Sequence, residues 1–215
     1  MLTVYGAGLS PFVRKVRVVL AEKGIPYQLE PVMPGNPDPA YRAMSPLGKI
    51  PAFRDGDRTL CDSSVISQYL ERTHPEHPMY PQDAYEYARA LWFEEYADTA
   101  LVEVVGGKIF FPRIVAKLLM GKEPDEAAVQ KAIDEDLPPR FDYLESQIGQ
   151  GPYLVGDRFS IADVAVTSTF ANLQHAGVTI DAARWPKLAK YIATHLARPT
   201  FAPLITEERG FLGKS

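Results

Sequence analysis

The chain has 215 residues, 46 % of them hydrophobic and 23 % charged, with 23 basic against 27 acidic side chains for a net charge of −4. That balance excludes wholesale disorder and offers no broad electrostatic reason to bind nucleic acid or an anionic membrane. The single cysteine, Cys61, excludes an internal disulfide and a cysteine-based zinc cluster, and fits a reducing, cytoplasmic setting. The opening Met-Leu-Thr-Val-Tyr-Gly does not read as a signal peptide, and no apolar run reaches the roughly 18 residues of a membrane span. The four histidines, His74, His77, His175 and His195, form no metal-ligand pattern, so no metal is expected.

At roughly 150 residues per domain the length fits one large domain or two small ones. Three prolines within His74-Pro-Glu-His-Pro-Met-Tyr-Pro81 cannot continue a helix, because each removes a backbone donor and restricts its predecessor. A linker is expected there, over residues 77–83, between a first domain at 1–76 and a second at 84–206, with a tail at 207–215.

In chain order, Leu2 to Tyr5 reads as a strand. Pro11 to Lys23 reads as a helix with Phe12, Val13, Val16, Val19 and Leu20 on its inner side. Ser10 is a good N-cap, Pro11 suits the first helical position, and Gly24 suits the stop. Tyr27 to Val32 resembles a second strand, and a short helix is expected around residues 40–43. Ile50 to Arg54 and Thr59 to Leu60 form a hairpin about Asp55-Gly56-Asp57. Asp62 to Arg72 is a helix with Val65, Ile66, Tyr69 and Leu70 inward. This order, β-α-β-α-β-β-α, indicates a small α/β domain.

Beyond the linker the period is helical throughout. Gln82 to about Val105 is long, and Val104-Val-Gly-Gly-Lys-Ile-Phe-Phe-Pro-Arg113 is expected to break it. Asp125 to Ile148 is helical, interrupted or kinked near Pro138-Pro139. Ser160 to Gln174, Trp185 to Leu196 and a short piece near Thr200 complete an all-α domain. Ser160-Ile-Ala-Asp163 is a capping box, with Phe159 and Val164 as its hydrophobic staple.

Three places carry candidate chemistry, each at the end of an element of the α/β domain. Ser10 stands beside unpaired N–H groups at the positive end of a helix dipole, a setting that favours an anion, although capping alone also accounts for it. Ile50, before Pro51, can pair its backbone with a peptide-like ligand if the proline is cis; a turn proline opening a strand explains the same residues. Asp62-Ser63-Ser64 opens a helix with side-chain oxygens and free N–H groups that can take a carboxylate and an ammonium together, or simply cap. Tyr5, at the end of the first strand, reads as a core tyrosine. Cys61, beside Leu60, reads as a buried small hydrophobe. The cluster Arg14-Lys15-Arg17 is too small to imply nucleic acid.

Taken jointly, the segments Leu9 to Gly24, Ser45 to Phe53 and Leu60 to Leu70 resemble the thioredoxin-like glutathione-binding domain of cytosolic glutathione S-transferases. Tyr153 to Val164 is similar to the capping segment of that family's all-helical second domain. The resemblance implies an α/β thioredoxin-like N-terminal domain plus an all-α C-terminal domain, and a homodimer. It implies that Ser10, in a Ser-Pro-Phe form similar to the plant tau class, activates the thiol of glutathione, with Tyr5 as the rival hydroxyl because some relatives use a tyrosine at the end of the first strand. Lys49 would contact the glycine carboxylate, Ile50 before a cis Pro51 the cysteinyl unit, and Asp62 with Ser63 the γ-glutamyl end. Phe12, Phe110, Phe111 and Arg113 are the candidate substrate pocket. Two departures stand out: Ser45 replaces the usual Asn, and position 10 is not the Cys of omega-like relatives, which weighs against thiol exchange through an enzyme-bound disulfide.

The function so implied is transfer of the glutathione thiolate to a small, apolar electrophile, with detoxification as its setting and no metal. Two alternatives remain open: a glutathione-dependent peroxidase, dehalogenase or isomerase on the same scaffold, or a non-catalytic interaction protein of the starvation-protein type.

Overall fold

A computed structural model describes residues 1–213. The chain divides into two units, one comprising Met1–Tyr80 with the segment from Thr200 onward, the other Pro81–Pro199.

The first unit is built on a four-stranded mixed sheet of order β2-β1-β3-β4. β1 (Leu2–Tyr5) pairs parallel with β2 (Tyr27–Glu30) and antiparallel with β3 (Ala52–Asp55), which pairs antiparallel with β4 (Arg58–Cys61). Alternation along β1 buries Leu2 and Val4 and leaves Thr3 and Tyr5 half-buried, the period of a strand with one covered face. The helices are α1 (Pro11–Glu22), α2 (Pro39–Met44) and α3 (Ser63–Thr73). α1 starts at Ser10 with Pro11 in its first turn, and the chain turns away at Gly24, whose φ of +66° suits a residue without a Cβ.

α1 is not one-sided. Every residue from Val13 to Leu20 is buried, Arg14, Lys15 and Arg17 included. Their charges are held by partners. Arg14 grips Glu208 with two bonds, Nε to Oε1 at 2.8 Å and Nη2 to Oε2 at 2.6 Å. Arg17 grips Glu207 through Nη1 at 3.0 Å and Nη2 at 2.7 Å, and Thr200 donates to Glu22 at 2.6 Å. Below α1, Lys23 Nζ meets Glu71 at 2.7 Å and donates to the carbonyl of His74 at 2.8 Å and that of His77 at 3.3 Å. The start of the proline-rich stretch is thereby tied down.

These bonds change the expected ends. The expected second domain runs to residue 206 with a tail from 207; instead α10 (Ala202–Phe211) is a ten-residue helix grouped with the α/β unit. Its acids are too far along the chain from α1 for any local pattern to pair them. Lys214 and Ser215, the end of that tail, lie outside the described residues. Val65, expected inward on α3, is 48 % exposed, whereas Ile66 and Leu70 are buried.

The second unit is all helical: α4 (Ala84–Tyr96), α5 (Ala116–Met120), α6 (Glu126–Lys131), α7 (Leu137–Gln147), α8 (Ile161–His175) and α9 (Pro186–Leu196). The expected break after Val104 does not occur. From α4 the chain runs on through Ala97–Val115, wound with wider i→i+5 hydrogen bonding, into α5. The wider turn absorbs Gly106, Gly107 and Pro112 without ending the helix. A second wide turn, Ala132–Asp136, lies between α6 and α7, so Pro138 and Pro139 sit in the first turn of α7, where no N–H is needed. Arg140 Nη1 donates to the Asp136 carbonyl at 2.9 Å.

α8 is the core of this unit, buried on all sides except at Gln174 and packed on α4 and the wide stretch. Its start is the expected capping box, in which Asp163 accepts from Ser160 N at 2.9 Å. Among the described residues no helix is long and apolar enough to cross a membrane.

Candidate active site

One row of the sheet gathers the three candidate segments. Tyr5 lies opposite Ala52, and Ala52 opposite Cys61. The end of β1 leads through residues 6–9 into Ser10, Ala52 follows directly on Ile50-Pro51, and Cys61 leads directly into Asp62. The ladder register therefore puts all three at one edge of the sheet, which no spacing in the sequence dictates. Gly6 makes the approach possible: a Cβ there would overlap the Val13 side chain and stand 3.4 Å from the Ile50 Cβ.

Ser10 has φ −72° and ψ 128°, extended backbone just before the helix. Its N–H bonds the Ala7 carbonyl at 3.0 Å and its carbonyl accepts from Arg14 N at 2.9 Å. Its Oγ accepts from Val13 N at 3.4 Å, a long bond. Among the described residues this hydroxyl donates to nothing, so its proton is available to a ligand. The helix N-terminus beside it favours negative charge.

The second segment is held from beneath. The Lys49 carbonyl accepts from Tyr41 Oη at 2.7 Å and from Ser45 Oγ at 2.8 Å. Burial raises the Tyr41 phenol above its ordinary value, which keeps it a donor. The Ser45 hydroxyl thus spans the turn. Gly48, at φ +64°, closes that turn, and a Cβ on it would stand 2.5 Å from the Arg42 guanidinium. The Lys49 side chain is exposed, and the Ile50–Pro51 peptide is cis.

In the third segment Asp62 caps α3, its Oδ1 accepting from Ser64 N at 2.9 Å and Val65 N at 3.1 Å. Asp62 has φ +77°, a conformation side chains rarely adopt, and such positions cluster at ligand sites. Ser63 is buried, and the Ser64 hydroxyl accepts from the buried Lys15 Nζ at 3.0 Å. Cys61 is half-buried rather than fully buried.

The remaining candidates separate. Phe12, in the first turn of α1, is half-buried beside Ser10. In the helical unit Phe110 is buried in the core and Phe111 is 48 % exposed. Arg113 is not a free anion contact: it binds Glu126 at 2.7 Å and donates to the Ala176 carbonyl at 3.2 Å. Tyr5, the rival hydroxyl, lies in the sheet with the Arg54 guanidinium 5.4 Å from its ring centre. Sequence reasoning missed Tyr41, whose eight-residue separation from Lys49 carries no recognisable signal. It also left Arg14 and Arg17 without partners, although the adjacent Glu207-Glu208 offered charges to match them.

Comparison with known proteins settles the family. The sequence model of the glutathione S-transferase N-terminal domain matches residues 4–78, and that of the glutathione S-transferase C-terminal domain matches residues 111–207. The chain belongs to the glutathione S-transferase family. A glutathione S-transferase of Hyoscyamus muticus is 30 % identical over 95 % of this chain and 97 % of its own length. A glutathione S-transferase structure from Rhodospirillum rubrum F11 superposes with TM-score 0.86 at 25 % identity, covering 95 % of this chain and 91 % of that one. A stringent starvation protein A homolog of Pasteurella multocida is 26 % identical over 94 % of this chain and 88 % of its length. The chain thus has the thioredoxin-like and helical domains of its family. Among its described residues, no group of three or more His, Cys, Asp or Glu could hold a metal ion.

Proposed function

We propose that this glutathione S-transferase conjugates the glutathione thiolate to a small, apolar electrophile, with Ser10 donating a hydrogen bond to the sulfur. The observation that carries this reading is the unspent Ser10 proton at the helix mouth, on the same sheet edge as Pro51 and Asp62. In it, Lys49 holds the glycine carboxylate, the Ile50 backbone before Pro51 pairs with the cysteinyl unit, and Asp62 with Ser63 holds the γ-glutamyl end. Phe12 supplies apolar surface beside the sulfur. Arg113, spent on Glu126, has no part. A cytoplasmic homodimer acting in detoxification is the setting this reading carries.

A thiol of pKa about 8.5 is only about 3 % thiolate at pH 7. A hydrogen bond to the ionised sulfur contributes roughly 1.5–3 kcal/mol. The helix N-terminus adds about 0.3–1 kcal/mol. At about 1.4 kcal/mol per pH unit, a lowering near two pH units leaves about three-quarters of the bound thiol ionised. The thiol proton goes to solvent. The sulfur lone pair forms the new C–S bond, and either a leaving group departs with its bonding pair or, in an addition, the neighbouring atom takes a proton from water. Ser10 neither ionises nor attacks.

Ultraviolet titration of the bound thiolate tests this. Ser10→Ala is expected to keep glutathione binding within about threefold while raising the bound thiol's pKa by more than about one pH unit. An unchanged titration rejects the assignment. The starvation-protein relative favours one rival, a non-catalytic interaction protein. Calorimetry separates the two, since such a protein gives no saturable heat with glutathione.

A further inference from the structure

We infer that α10 positions the loop carrying Ser10, with the Arg17–Glu207 pair as the positioning element; this rests on the proposed role of Ser10. The two consecutive acids of α10 do different work. Glu208 is buried against Arg14, whose backbone N–H also bonds the Ser10 carbonyl at 2.9 Å, so this grip holds α1 itself. Glu207 is half in solvent, its side chain 53 % exposed, and holds Arg17 through both Nη atoms. Arg17 is fixed from its other side, where Nε donates to Tyr27 Oη at 2.8 Å.

The pair stands directly behind the Ser10 loop. A Cβ placed on Gly8 would lie 3.4 Å from Arg17 Nη1 and 3.5 Å from Glu207 Oε1. The loop between β1 and α1 therefore passes close to an ion pair whose acid comes from the far end of the chain. Rigid support of this kind matters because a displacement of about 1 Å at a reacting centre costs up to about a hundredfold in rate. Gly8 carries no side chain, so the loop backbone passes about one carbon atom's width from the pair, and a shift of Arg17 changes the room the loop has to move in.

Charge and position predict opposite signs, which makes the inference testable. Around the site the charged groups are Arg14, Lys15, Arg17, Glu207 and Glu208 behind the loop and Lys49 and Asp62 on the other two segments, and only Glu207 changes in the test. Removing the negative charge of Glu207 by Coulomb attraction alone favours the thiolate and lowers the thiol's pKa. Releasing Arg17, and with it the loop, weakens the Ser10 hydrogen bond and raises that pKa.

The experiment compares wild type with Glu207→Gln in two measurements. The first is hydrogen–deuterium exchange over residues 6–13 without glutathione, where the variant is expected to exchange at least about threefold faster at unchanged melting temperature. The second is the titration of bound glutathione. There the thiol's pKa is expected to rise, with kcat at neutral pH falling about three- to tenfold, KM for glutathione held within about twofold, and the deficit vanishing above the thiol's pKa. Unchanged exchange in residues 6–13, or a thiol pKa that falls, overturns the inference. Should wild type give no saturable glutathione heat, the Ser10 reading fails, and the exchange measurement alone then decides whether α10 holds the loop.

Discussion

The helices α1 and α8 each have a serine at the capping position, and the two serines are used in opposite ways. Ser160, at the start of α8, is buried; its N–H and hydroxyl both meet Asp163 Oδ2, at 2.9 and 3.3 Å. Asp163 Oδ1 accepts in addition from Leu154 N at 2.9 Å and Tyr191 Oη at 2.7 Å. Ser10 has Val13 where Ser160 has Asp163. No side chain reaches back to it, the Ala7 carbonyl takes its N–H, and its cap bond is long at 3.4 Å. The same residue type at the same helical position is closed into the fold in one unit and left with a free proton in the other. A capping residue becomes a candidate for chemistry when its partners leave it unfinished.

The largest effect that would break this contrast is at Asp163. Asp163→Ala strands the Leu154 and Ser160 N–H groups and the Tyr191 hydroxyl, and is expected to cost about 3–5 kcal/mol. Urea unfolding followed by tryptophan fluorescence reads it, since Trp92 and Trp185 both lie in the helical unit. A loss under about 1 kcal/mol would mean that the network is not holding α8. Next comes the pair of serines themselves. Ser160→Ala is expected to cost about 1–2 kcal/mol and Ser10→Ala no more than about 0.5 kcal/mol, because the long cap at Ser10 has little to lose. If Ser10→Ala proves the more destabilising, its hydroxyl belongs to the fold and the contrast is wrong.

The smallest effect concerns pH. Neither serine titrates, so the alkaline response should come from phenols that burial raises, half-buried Tyr96 and buried Tyr191 in the helical unit beside Tyr41 in the α/β unit. Burial pushes Tyr96 up to about 12. The folded state thus prefers the neutral phenol; its contribution is complete below the ordinary value near 10 and is lost as pH rises through about 12. Melting temperatures taken across that window should fall less steeply in Tyr96→Phe. An unaltered slope would reassign the limb to Tyr191, which burial and Asp163 raise, or to Tyr41, which burial raises.

Much of the scaffold was legible. Ser10-Pro11 and Gly24 bracket α1, β1 runs over Leu2–Tyr5 as read, and the Ser160 box stands where its spacing put it. These signals involve neighbours a few residues apart, so local sequence carries them. The errors share the opposite property. Gly106, Gly107 and Pro112 are strong breakers locally, yet a widened turn, packed on α8, carries the helix past them. Val65 fitted an inner helical stripe but faces outward. Arg14 and Arg17 read as a small basic cluster and are instead buried against acids about 190 residues away.

The sequence by itself determined the two-part architecture, the ends of α1, the start of α8 and the three segments that resemble a glutathione site, because periodicity and capping act over one or two helical turns. Only the tertiary structure decided that those segments meet on one row of the sheet, that α10 belongs with the α/β unit, and that one serine is spent and the other free. Strand register and ion pairing join residues far apart along the chain, and their geometry exists only once the backbone has folded.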